Sequence, residues 1–97
     1  MTFKKKWFSS KVESTEGFFV QPISRAQILY GDSEALVYVS AEWLSPADGR
    51  MTWALYPNDM RIGSQDGPQL RDEPRRKLIV ERIQAVFDFR GWRLDLD

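Results

Sequence analysis

Between Ala35 and Leu44 the side chains divide cleanly by parity. Ala35, Val37, Val39, Ala41 and Trp43 are all apolar, whereas Leu36, Tyr38, Ser40, Glu42 and Leu44 are mixed. Period two with one wholly apolar face predicts a half-buried antiparallel strand. Gly31-Asp32-Ser33 supplies turn chemistry before it, and Ser45-Pro46-Ala47-Asp48-Gly49 reads as the loop after it. On the returning strand Met51, Trp53 and Leu55 point inward, opposite Thr52, Ala54 and Tyr56. Pro57-Asn58-Asp59 is then a turn or a bulge before Met60 to Ile62.

Upstream, Arg25 to Tyr30 alternates, with Ala26, Ile28 and Tyr30 on one face. Phe18 to Ile23 is a short apolar run carrying Pro22, which cannot donate to a ladder, so this strand lies at an edge or ends there. The first sixteen residues are the least regular. They predict a partly ordered arm, with a short edge strand around Trp7 to Val12, ahead of a single domain over residues 17–97.

Downstream of the loop Gly63 to Pro68 the period changes. Leu78, Ile79, Ile83, Val86 and Phe87 form a stripe at helical spacing. Asp72 suits the N-cap, Glu73 and Pro74 suit the first turn, and Arg90-Gly91 stops the helix. Trp92, Leu94 and Leu96 alternate with Arg93, Asp95 and Asp97 in a last short strand. The pattern therefore predicts an α+β fold: an antiparallel sheet of four to six strands, one C-terminal helix packed on one face, and a final strand. A helix of about four turns can cover one face of such a sheet, not both. The uncovered face would carry Tyr38, Glu42, Leu44, Arg50, Thr52 and Tyr56, a mixed surface of the kind found at interface centres, and these six are the candidate partner-binding residues.

Composition narrows the chemistry. The 97 residues include no Cys and no His, which removes disulfides, thiolate nucleophiles, the commonest zinc ligands and the base of a Ser-His-Asp triad. No Gly-rich phosphate loop of either familiar spacing occurs. The paired carboxylates Asp95/Asp97, and Asp66, Asp72 and Glu73 around the helix start, are explained by a solvated strand face and a favourable helix N-terminus. No catalytic, cofactor or metal site is expected, and the reading is of a non-enzyme.

Fourteen basic residues balance fourteen acidic ones. The lysine-rich start (Lys4, Lys5, Lys6 and Lys11 with Trp7 and Phe8) and the run Arg71 to Lys77 could contact phosphates, but a nucleic-acid binder is usually basic overall. Nucleic-acid association is thus the lesser alternative, beside a dimerisation or accessory role in which the uncovered face meets its own copy. No apolar run approaches the roughly 18 residues that cross a membrane, and Trp7-Phe8 is too short for the apolar part of a signal peptide. The expectation is a cytoplasmic protein with no membrane partner.

From Ile28-Leu29-Tyr30 through Val37-Tyr38-Val39, Ala41-Glu42-Trp43-Leu44 and Trp53-Ala54-Leu55-Tyr56 to Met60, then through Asp72-Glu73, Leu78-Ile79, Ile83 and Gly91-Trp92-Arg93-Leu94, the chain resembles small immunity proteins of bacterial polymorphic toxin and contact-dependent inhibition systems. The resemblance covers residues 25–97. It implies a protein that binds a cognate toxin domain in the producing cell's cytoplasm and blocks it. Immunity proteins against nucleases are often strongly acidic, and this neutral chain departs from that pattern.

Overall fold

A computed structural model describes residues 2–5, 10–47 and 49–97. Among them run seven strands and one helix: β1 (Phe3–Lys5), β2 (Val12–Ser14), β3 (Phe19–Ser24), β4 (Gln27–Gly31), β5 (Leu36–Ala47), β6 (Arg50–Ile62), α1 (Glu73–Arg90) and β7 (Arg93–Leu96). They form one sheet in sequence order, antiparallel from β1 to β6, with β7 parallel to β6.

The α+β class and the single C-terminal helix agree with the sequence pattern, and two features differ. The sheet has seven strands where four to six were expected, because β1 and β2 hold three residues each, too few to display a period. The sheet is mixed where it was expected to be antiparallel. After β6 the chain returns along the whole length of α1, so the following strand enters in the direction of β6, as a helical crossover requires. The predicted strand around Trp7 begins at residues outside the described ones. The arm's described part pairs into the sheet, Phe3 opposite Ser14 and Val12 opposite Val20.

Alternation decides which face is inside. Val37, Val39 and Ala41 of β5 are buried with Val20, Ile28 and Tyr30 on one side and Leu55 and Met60 on the other. Trp53 and Trp43 extend the same face, paired directly across β5 and β6. Between Leu55 and Met60 the parity of inward residues switches from odd to even. Val39 pairs with Met60 but Ala41 pairs with Leu55, so three extra residues of β6 bulge out around Pro57. Gln69 repairs the break: its side-chain oxygen accepts from the Met60 N–H at 3.0 Å. Pro22 lies beyond the part of β3 that β2 covers, so its missing N–H costs no ladder bond on that side.

The helix has the ends its sequence calls for. Asp72 caps it by accepting from the Arg75 N–H at 3.4 Å, and Gly91 closes it in the left-handed region at φ 73°, donating to the Asp88 carbonyl. Ile79, Ile83, Val86 and Phe87 are buried, whereas Leu78, expected in the stripe, is 37% exposed. The sheet curls about this helix. Phe89 meets Phe3 of β1 at 5.3 Å between ring centroids, and Phe87 meets Trp53 of β6 edge-on at 6.2 Å. The inner face is concave, and the helix packs into it as far as Trp53.

Ile83 sits at 0% exposure in the middle of this seal. Ile83→Ala should therefore lower the unfolding free energy by about 2–5 kcal/mol, read from the urea midpoint with an unchanged slope. A loss under about 1 kcal/mol would mean that the helix is not packed as described.

Candidate functional site

The outer face is built by the residues that alternation turns away from α1. Because paired residues share a face, register gives its rows directly. Phe19, Gly31 and Leu36 form one row, and Gln21, Leu29, Tyr38 and Arg61 the next. Gln27 and Ser40 follow, then Glu42, Ala54 and Asp95, then Leu44, Thr52 and Arg93. The first row depends on a glycine: a Cβ on Gly31 would stand 2.3 Å from the Phe19 ring, which lies across the backbone there. The Lys11 ammonium sits 4.1 Å from the centroid of that ring.

Five of the six expected partner-binding residues lie together on this face, and Arg50 does not. Tyr38 is half-buried between Leu29 and Arg61, and its hydroxyl makes no hydrogen bond among the described residues. The Tyr56 hydroxyl donates to Glu42 Oε1 at 2.9 Å, and this carboxylate raises the phenol's pKa. Leu44 is half-buried, while Thr52 is only 4% exposed and donates to the Arg50 carbonyl. Thr52 thus belongs to the floor of the face. Arg50 turns toward the helix C-terminus, its guanidinium donating to the carbonyls of Gly91 and Trp92 at 3.3 and 3.4 Å, where a cation is favourable.

Sequence reasoning missed the polar side chain at the centre of this face, Asp59. It stands on the bulge, where Ser40 donates to one carboxylate oxygen and Gln69 (2.7 Å) and Arg61 (3.2 Å) donate to the other. The Ser40 and Gln69 hydrogen bonds hold its pKa below the ordinary carboxylate range. Three donors from three segments converge on it, so it holds the bulge in shape. Arg93 and Asp95 pair at 3.1 Å at the β7 rim.

A second polar cluster ties helix to sheet. Tyr30 is fully buried, yet its hydroxyl donates to Asp32 at 2.7 Å and accepts from Arg82 at 2.6 Å. Asp32, with a side chain 5% exposed, takes both terminal nitrogens of Arg75 at 2.8 and 2.9 Å and the backbone N–H groups of Glu34 and Ala35. Burial alone would raise its pKa. The Arg75 pair, the Tyr30 hydroxyl and the two backbone donors together outweigh burial and hold it well below 3.8. Burial and the adjacent Asp32 push the Tyr30 phenol up. Arg75 is thereby committed to Asp32, and Arg76 is paired with Glu73.

Among the described residues no group of three or more acidic side chains is gathered as metal ligands would be, and no helix is long and apolar enough to cross a membrane. Comparison with protein-family models, curated proteins and solved structures found no match.

The Asp32 cluster predicts an acid-labile fold. A carboxyl whose folded pKa is depressed contributes stability above its unfolded value near 3.8, and that contribution is lost as pH falls below it. Asp32→Asn should cost about 3 kcal/mol at pH 7, because it takes from the largely buried Arg75 the carboxylate on its two terminal nitrogens and leaves only Glu34, 3.3 Å from Nε. The gap to the unsubstituted protein should narrow as pH falls from 4 to 2. A gap independent of pH would show that the carboxylate is not the stabilising species.

Proposed function

We propose that this protein is a binding inhibitor that presents the outer face of its sheet to a protein partner, and that it acts as an immunity protein for a cognate bacterial toxin domain. The observation that carries the reading is the outer face itself. It sets Phe19, Leu29, Leu36, Tyr38, Leu44 and Tyr56 among the charges of Glu42, Arg61, Arg93 and Asp95. Tyrosine supplies large contact area with a polar tip, and a charged rim around an apolar centre is how protein interfaces are built. Leu36, at the β5 end of the Phe19 row, is 42% exposed and extends the apolar part of this face. With fourteen charges of each sign, the chain has no net field to draw in a basic nuclease, so affinity would come from shape and local pairing.

The test is co-expression with the C-terminal domain encoded by the adjacent reading frame. The expected results are rescue of growth and a stable complex on size exclusion. Tyr38→Ala and Glu42→Arg should each raise the complex's Kd at least tenfold, about 1.4 kcal/mol or more, with thermal unfolding unchanged. Absence of both rescue and complex would remove the toxin reading, and full affinity in both variants would remove the outer face as the contact.

A further inference from the structure

The helix does not reach the whole inner face. Its buried side chains extend as far as Phe87, whose ring meets Trp53. Beyond Trp53, toward the β3–β4 turn, no other element covers the sheet among the described residues, and a shallow groove of about 440 Å³ is left there. Its lining includes Pro22, Ile23, Arg25, Trp43, Met51 and Trp53. This groove lies on the opposite side of the sheet from the outer face.

Two observations indicate what it would hold. The walls are apolar and aromatic: Trp43 and Trp53 are paired across strands, and Ile23 is 37% exposed. A cation stands at the mouth. The Arg25 guanidinium lies over the Trp43 ring, 5.0 Å from its centroid, and no carboxylate pairs with it among the described residues. The backbone that carries it is held to β5, since the Trp43 N–H donates to the Arg25 carbonyl and the Ala41 N–H to that of Ala26, both at 2.9 Å. An occupant matched to these groups is apolar in body and carries negative charge for the arginine.

We propose that the groove is a second binding site, for an extended peptide segment of a protein partner in which a large apolar side chain is flanked by Asp or Glu. The groove's form favours a peptide over a small metabolite. Small-molecule sites enclose most of their ligand, whereas this groove is open along one side and accommodates one or two side chains of a passing chain. The apolar side chain lies between Trp53 and Ile23, and the neighbouring carboxylate reaches the Arg25 guanidinium.

A random heptapeptide library displayed on phage and selected on the full chain tests this directly. Enriched peptides should carry Asp or Glu within two positions of Leu, Ile, Phe or Met. In fluorescence-anisotropy titrations the same peptides should bind Arg25→Glu at least tenfold more weakly, and should lose affinity likewise when their own acidic residue becomes the amide. Trp43→Ala, which removes the aromatic wall beneath Arg25, should weaken them several-fold. Tyr38→Ala on the outer face should leave them unaffected, so this site and the toxin contact stand or fall separately. Arg25 is exposed, and an unchanged unfolding midpoint verifies its variants; Arg25→Gln replaces Arg25→Glu if the latter is unstable. No enrichment, or enriched peptides that bind Arg25→Glu as tightly as the unsubstituted protein, would overturn the proposal.

Discussion

The carboxylate of Asp32 connects the two layers of the fold. It sits in the turn between β4 and β5, and both terminal nitrogens of Arg75, in the first turn of α1, close on it across 43 residues of chain. Two backbone donors from its own turn and the Tyr30 hydroxyl complete its shell. A buried ion pair is a weak source of net stability, because desolvation offsets most of its attraction. Its geometric effect is strong, since each alternative seating of the helix would leave a charge buried alone. The start of α1 is thereby fixed over β4, and Arg82, two turns later, is held to Tyr30 and over the Phe18 ring. The face on which the helix lies, and hence the face left open, follows from this arrangement.

The curl of the sheet completes it. An 18-residue helix is about 27 Å long and about 10 Å wide. Seven strands laid flat would span about 29 Å between the outermost pair, far wider than such a helix could cover. Curling brings both margins to the helix: Phe3 of β1 reaches Phe89, and β7 lies against the end of α1, where Trp92 meets Phe87 at 5.4 Å. The bulge around Pro57 sits on the longest strand, as expected if it relieves the bend. The same curl leaves the outer face convex, and it leaves the inner face beyond Trp53 unsealed.

How much of this could be read from the chain depends on the range of each interaction. The β5 alternation, the inward side of β6 before the bulge and both helix caps are set within a few residues, and all are visible as pattern. Leu78 satisfied the helical period but stands at the stripe's edge, a distinction that only the position of the sheet makes. β1 and β2 are strands because neighbours pair with them, and three residues carry no period of their own. The parallel entry of β7 is a property of the connection, not of Arg93 to Leu96. Asp32 read as a turn residue, which it is, but its partners lie 43 and 50 residues away, so its second role left no local trace. On the candidate face, parity placed Tyr38, Glu42, Leu44, Thr52 and Tyr56 together. Asp59 was hidden by the bulge, which breaks the parity on which the argument relied, and Arg50 was drawn off by two carbonyls at the far end of the helix.

A convex, prebuilt face suits the proposed role for a reason that concerns entropy as much as contact. Ordering a mobile side chain at an interface costs about 0.5–1.5 kcal/mol. Here much of that ordering is already present in the free protein. Tyr56 is tethered to Glu42, Phe19 is laid over Gly31 beneath Lys11, and Tyr38 stands between Leu29 and Arg61. Each is carried on strands interior to the sheet and backed by the packed inner layer, so it yields little when pressed. Enzyme active sites are concave, and a rigid convex surface with aromatic side chains is a shape that can enter one without rearranging. A chain of zero net charge gains little from long-range steering, and preorganisation of this kind is the remaining physical route by which so small a surface could hold a partner tightly.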